Sequence, residues 1–321
     1  MINKKHFLVT GGTGFIGSNI CKLLIDLGHN VTIFDNNSRG ELKRIKEFNR
    51  KVKFIRGDIR DQKQFFKSLK NINSIIHLAY INGTKYFYTK PNEVLDVAVK
   101  GIVNVFDLCI KKKIKEIYLA SSSEVYQTPT SVPTSEKEML KVPDIYNPRF
   151  SYGTGKILTE VMGINYGKKY FKKLIIFRPH NVYGPDMGDE HVVPELIRKA
   201  IRSKKNHIIL KGSGKEIRSF IYIDDFIQAF NSLLIRGKHL EVYNIGTNVA
   251  INMKKLLKNI LLILKKSYKI KNSPTPLGGT KIRNPSIKKI KKLGFKPKIS
   301  LKEGLKKTIN FYIKTLEKKG V

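Results

Sequence analysis

Tyr152 and Lys156 in "SYGTGKILTE" are the first residues of this sequence whose types and spacing could do chemistry. At i and i+4 of a helix they share one face, one turn apart. A phenol titrates near ~10 when unperturbed and is a poor base at neutral pH. An ammonium beside it stabilises the phenolate and lowers that value, so the pair can move a proton on or off a substrate hydroxyl. Taken alone, Tyr-x-x-x-Lys is a common coincidence on helices. It gains weight from a second feature, "IYLASSSEVYQ". This stretch starts as a buried strand with Ile117, Tyr118, Leu119 and Ala120, then passes without a break into Ser121, Ser122, Ser123 and Glu124. A strand ending this way enters either a solvated loop or an active site, and open α/β sheets place their ligands at such ends.

A third feature lies near the N-terminus. "FLVTGGTGFIGSNICKLL" sets a glycine cluster between an apolar run and an amphipathic segment, and Gly12-x-Gly14-x-x-Gly17 fits a dinucleotide fingerprint. Gly11-x-x-Gly14-x-x-Gly17 can be read in the same residues. Such glycines allow a tight turn and let backbone amides and a helix N-terminus approach a pyrophosphate. Asp35 follows at the end of the next apolar run, 18 residues after Gly17. An acid there binds a ribose diol and repels a 2′-phosphate, so the pattern predicts NAD rather than NADP as cofactor. Arg39 nearby softens that preference.

These residues need elements to position them. Strand-like runs fall at 6–10, 30–34, 52–57, 74–79, 116–121 and 173–179. Helical patterns lie between them: Ile16 to Leu27 with Gly28 as its stop, Pro91 to Lys111, and Tyr152 to Tyr170. Alternation at this spacing predicts an α/β fold with a parallel sheet covered on both faces. Beyond residue 180 the pattern is less regular and broken by prolines from Pro185 to Pro297. With 321 residues, a second domain packed on the first across a cleft is expected.

Composition narrows the function. The net charge of +37 invites a nucleic-acid reading. Lysines greatly outnumber arginines, however, and are scattered along the chain. A dedicated binder would cluster arginine and interleave aromatics, so no nucleic-acid partner is expected and the charge better suits an anionic small substrate. No apolar run is long enough to span a membrane, and the N-terminus lacks a signal-peptide core, which predicts a cytoplasmic protein. Cys21 and Cys109 sit in helical apolar patterns and read as buried free thiols, with neither a disulfide framework nor a metal site expected.

With "TGGTGFIG", "GDIRD", "HLA", "SSSEVY", "YGTGK", "RPHNVYGP", "RSFIYIDD" and "KIRNPSIKKIKKLGFKP" in order, the chain resembles the extended short-chain dehydrogenase/reductases that act on nucleotide sugars. The resemblance covers nearly the whole chain. It implies a Rossmann-like doubly wound parallel sheet with a smaller C-terminal α/β substrate-binding domain. Residues 1–177 plus about 221–247 would form the NAD-binding domain, and about 178–220 plus 248–321 the nucleotide-sugar-binding domain. It implies Tyr152 as base, Lys156 as its activator and holder of the nicotinamide ribose, and Ser122 as a member of their proton network. Cofactor contacts would come from Gly11, Gly12, Gly14, Phe15, Ile16, Gly17, Asp35, Asn36, Asp58, Ile59, Leu78, Ala79 and Pro179, with Tyr152 and Lys156. Ser123, Asn181, Val193, Arg218 and Arg283 would contact the nucleotide-sugar substrate, and a homodimer through two helices per subunit is expected. His180 and His191 stay outside the catalytic set.

Several positions depart from the family pattern. Gln127 stands where glycine is usual, Gly155 where serine is frequent, and Ala98 where many relatives carry an asparagine supporting cofactor and relay. Tyr80 is also unusual. Every reaction implied begins with hydride removal from the sugar, usually at C4. Dehydratases of the family carry Asp-Glu directly after the Ser/Thr, and here Ser123 and Glu124 lack that acid. Decarboxylases carry Ser-Glu, which matches and makes Glu124 a further catalytic candidate, although the glutamate also occurs in epimerases. The expectation is a 4-epimerase, with decarboxylation of a uronic acid and 4,6-dehydration as alternatives. A regulatory or RNA-associated protein that has lost the chemistry is disfavoured by the intact Ser122, Tyr152 and Lys156.

Overall fold

The alternation of apolar side chains along the first strand sets the layers. Phe7 and Val9 of His6–Thr10 point into one core with Ile20, Cys21 and Leu24 of the helix Phe15–Asp26. Leu8 between them points into a second core with Val94, Ile102 and Val105 of the helix Pro91–Lys111. A strand buried on both faces in this way needs helices above and below, which is the parallel arrangement. The computed structural model describes residues 4–188, 190–203, 206–274 and 278–317.

Seven strands form the sheet, in the spatial order Glu241–Ile245, Lys173–Pro179, Glu116–Ala120, Ser74–His77, His6–Thr10, Asn30–Asp35, Val52–Arg56. Every neighbouring pair is parallel. The order reverses between Ser74–His77 and His6–Thr10, and ligand clefts of open α/β sheets form at such a switch point. The helix Ser151–Tyr170 packs beside Pro91–Lys111 and brings Tyr152 and Lys156 to this end of the sheet.

The strand and helix ranges follow the sequence pattern to within a residue or two, with informative exceptions. Ser74–His77 stops before "LA" because Thr10 Oγ1 accepts the amides of Leu78 and Ala79 at 3.1 and 3.2 Å and turns the chain. The strand Glu241–Ile245, "EVYNI", lacks an apolar run and gave no separate signal; it pairs along the outer edge of Lys173–Pro179. The irregular C-terminal region contains the helices Val192–Arg202, Ile223–Arg236, Met253–Ile263 and Leu301–Glu317. Ile217–Ser219 there pairs with Ala250–Asn252 and Ile282–Arg283, which sets Arg218 beside Arg283. Among the described residues no helix is long and apolar enough to cross a membrane, and no cluster of His, Cys, Asp and Glu could hold a metal ion. Cys21 and Cys109 are buried free thiols.

Candidate active site

A cleft of about 460 Å³ runs along the carboxyl ends of the central strands. Its floor is the glycine turn. Gly11 has φ +73°, and a Cβ there would lie 2.8 Å from the Ala79 amide nitrogen. At Gly17 a Cβ would meet the Gly11 carbonyl oxygen at 2.1 Å, so only glycine lets the helix start this close to the turn. Gly14 caps the helix with no side-chain hydrogen bond, leaving first-turn amides around Phe15 and Ile16 open to an anionic ligand. Gly12 does not line the cleft; it packs behind it, where a Cβ would fall 2.7 Å from Ile33.

Carboxylates stand at the ends of the next strands. Asp35 accepts the Thr13 amide at 3.0 Å and the Asn37 amide at 2.8 Å, which fixes its orientation beside the turn. Asn36 donates to Asp58 at 3.0 Å, and Arg60 donates to both Asp58 oxygens, holding that carboxyl down at about 2. Ile59 packs on Gly101 and lines the cleft with Leu78, Ala79 and Pro179. Arg39 is not free to meet a 2′-phosphate. It is paired with Glu190 at 2.9 Å and lies over the Tyr86 ring at 4.7 Å.

Tyr152, Lys156 and Ser122 converge on the same cleft. Tyr152 is buried, stacked on Phe87 at 4.8 Å and edge-on to Tyr80 at 5.0 Å. Burial pushes its hydroxyl above the ordinary phenol value, against the lowering expected from a lysine one turn away, because desolvation outweighs the opposing influence of Ser122. Lys156 donates to the Ala120 carbonyl at 2.7 Å. Its Nζ lies 3.8 Å from the centre of the Tyr80 ring and 5.9 Å from that of Tyr152. The ammonium thus rests on a ring that sequence spacing did not implicate.

Burial lowers the Lys156 pKa from the ordinary lysine value to about 7, with Glu160 opposing. An unfolded lysine stays protonated to about pH 10, so the cost of a buried charge is full below about pH 7 and fades as pH rises between these values. Lys156→Met is therefore expected to raise Tm more at about pH 6 than at about pH 9. Thermal melts at both values check this, and an equal gain contradicts it.

Glu124 sits at the mouth of the substrate side. Both its oxygens accept from Arg283, at 2.5 Å each, and Arg149 approaches to 3.6 Å. Burial raises its pKa, but Arg283 and Arg149 outweigh that and hold the carboxyl below its usual range. Arg218 braces the same corner by donating to the carbonyls of Ile217 and Thr280, at 2.8 and 2.7 Å. Arg283 keeps a buried Nε without a partner among the described residues. Ser123, Asn181 and Val193 also line the cleft, and Asn181 donates to the Ser219 carbonyl at 2.8 Å.

A buried network backs the strand end. Ser121 donates to Glu160, and Arg178 donates to Glu160 at 2.7 and 2.5 Å and to the Tyr126 hydroxyl at 2.6 Å. Tyr126 continues to Asn244 at 2.8 Å, and Asn244 meets His180 Nε2 at 3.0 Å. Burial holds His180 far below its ordinary value, at about 3, so it is neutral and part of the scaffold. Gln127 takes φ +50°, where glycine is favoured, and donates to the Glu124 carbonyl at 2.6 Å. Arg149 and Glu190, which the sequence reading did not single out, also enter the cleft, as does Tyr80, noted there only as unusual. Arg149 stands three residues before Tyr152, a place that could have drawn attention to it.

The arrangement of turn, strand-end acids and Ser-Tyr-Lys cluster has close counterparts. A family model described as the NAD dependent epimerase/dehydratase family matches residues 7–246. UDP-N-acetyl-alpha-D-glucosaminuronate decarboxylase of Bacillus cytotoxicus is 31% identical over 96% of this chain and 98% of its own length. Human dTDP-D-glucose 4,6-dehydratase is 29% identical over 96% of this chain and 90% of its own. The crystal structure of UDP-glucose 4-epimerase from Thermotoga maritima with UDP-glucose has a TM-score of 0.88 at 28% identity, covering 97% of this chain and 99% of that one. With fold and matched residues running through most of its length, the chain belongs to the NAD-dependent epimerase/dehydratase family, nucleotide-sugar enzymes of the extended short-chain dehydrogenase/reductase type.

Proposed function

We propose that this enzyme is a nucleotide-sugar 4-epimerase that works through a transient 4-keto sugar. The carrying observation is the state of Glu124. Its oxygens are both held by Arg283, and its ionised form is favoured, so it is a poor proton donor for loss of a C6 hydroxyl. It also occupies the arginine fork that a sugar carboxylate would need. Epimerisation at C4 asks nothing of it.

The cofactor of the family is NAD, and the residues present fit it: the close turn at Gly11 and Gly17, the open amides after Gly14, and Asp35 at the strand end. When bound, NAD supplies reversible uptake and return of a hydride. In this reading Tyr152, as its phenolate, takes the proton of the C4 hydroxyl and later returns it, with the neighbouring Ser122 hydroxyl sharing that proton. Lys156, in its protonated form, would favour the phenolate that accepts this proton and that re-forms when the proton is returned. Arg218, the free Nε of Arg283 and Asn181 would face the diphosphate, where guanidinium groups suit phosphate oxygens. Ser123 and Val193 would border the sugar and nucleotide.

A second reading, decarboxylation of a nucleotide-linked uronic acid, is favoured by one observation. Arg149, Arg218 and Arg283 outnumber Glu124 in this corner, and a relative of this chain is a decarboxylase. NMR of a nucleotide-sugar panel in D2O separates the reactions. The expected result is interconversion at C4 without deuterium uptake. Loss of C6 from a uronic acid would establish the second reading, and deuterium at C5 would overturn both in favour of dehydration or C5 epimerisation.

A further inference from the structure

Lys156 is almost fully buried, and the described residues offer its ammonium little. Its hydrogen bond goes to one backbone carbonyl, that of Ala120. The titratable and charged groups facing it are His77 from the neighbouring strand end, Tyr152 and Glu160 from its own helix, and Tyr80 from the turn after His77. His77 is buried, pushed toward its neutral form and bonded to Thr10, and Glu160 is committed to Arg178 and Ser121. What lies against Nζ is the face of Tyr80, at 3.8 Å from the ring centre. An aromatic face at that distance attracts a cation, and more so when both are desolvated.

The hydroxyl end of this side chain lies against Gly155, with Ala98 on the facing helix beside it. A Cβ added to Gly155 would stand 2.0 Å from the Tyr80 hydroxyl and 2.6 Å from the Ala98 Cβ. The hydroxyl itself is buried and has no hydrogen-bond partner among the described residues. The phenol oxygen therefore does not account for an aromatic side chain at this position, whereas the ring face does. Tyr80, Ala98 and Gly155, which look like three separate departures in sequence, occupy one volume between the helices Pro91–Lys111 and Ser151–Tyr170.

We propose that Tyr80 is a positioning residue that holds Lys156 in place as an ammonium through its ring face, and that Gly155 lacks a side chain because the end of Tyr80 takes that space. The inference deepens the reading of Lys156 as activator of Tyr152, and it is testable without turnover. In protein carrying lysine labelled with 13C at the ε-carbon, the Lys156 resonance, assigned by its loss in Lys156→Met, reports the charge directly. Tyr80→Leu is expected to lower the titration midpoint by about one pH unit relative to the wild type, while Tyr80→Phe leaves it in place. An unchanged midpoint in Tyr80→Leu, or an equal shift in Tyr80→Phe, overturns the proposal. If Tyr80→Leu does not fold, as judged by its melt, Tyr80→Met carries the same expectation.

Turnover supplies a second readout. Tyr80→Leu is expected to lower kcat about tenfold with KM little changed, and Tyr80→Phe to retain wild-type kcat. Gly155→Ala should produce a similar loss by itself and little further loss in the Tyr80→Leu background. Equal losses in both backgrounds would show that Gly155 does not act by seating the ring. Should no nucleotide sugar turn over, the NMR titration still decides the role of Tyr80, so failure of the epimerase reading is distinguishable from failure of this one.

Discussion

Tyr152→Phe is expected to lower kcat by about 10²–10⁴-fold while nucleotide-sugar affinity stays close to that of the wild type. The ring has structural work that phenylalanine can continue, since it stacks on Phe87 and meets Tyr80 edge-on. What is lost is the oxygen that would exchange a proton with the sugar hydroxyl. Steady-state kinetics and calorimetric titration of a nucleotide sugar check the two halves of this expectation. Activity within a few-fold of wild type would remove Tyr152 as the base. A parallel loss of binding would mean that the substitution had damaged the cleft, because a group acting only on the proton leaves ground-state binding alone.

The second large effect is expected in the scaffold. Arg178→Ala should destabilise the fold by about 3–5 kcal/mol, because it leaves the Glu160 carboxylate buried without its guanidinium partner. The side chains of Arg178 and Glu160 are only 3% and 5% exposed, so water cannot replace the pair. Replacing both, as Arg178→Met with Glu160→Leu, should recover much of that loss, since a buried pair exchanged for apolar groups is often nearly neutral. Denaturant unfolding of the single and double variants measures this. A single variant within about 1 kcal/mol of wild type would show that the pair does not brace the strand end. The network matters for function because Ser121, bound to Glu160, directly precedes Ser122 in the chain.

Much of this molecule was legible because much of it is local. The phosphate turn is specified by glycines within a few residues of one another, and the same steric demands at Gly11 and Gly17 appear in the structure. Tyr152 and Lys156 share a face because helical periodicity puts them there. Glycine patterns overstate their case at Gly12, which is packed against Ile33 and away from the cleft. The edge strand Glu241–Ile245 escaped the reading because its alternation is too short to distinguish from a loop.

The sequence by itself determined the alternating α/β frame, the glycine turn with Asp35 at the next strand end, and the shared helix face of Tyr152 and Lys156. These depend on spacing within single elements, and motif order over nearly the whole chain implied the family. Tertiary structure alone decided the electrostatics. Glu124 meets Arg283 across 159 residues, and Arg39 meets Glu190 across 151. Lys156 rests on the ring of Tyr80, whose hydroxyl end lies where a Cβ on Gly155 would stand. Charge and burial in a folded chain are set by neighbours distant in sequence, and no local spacing records which neighbours those will be.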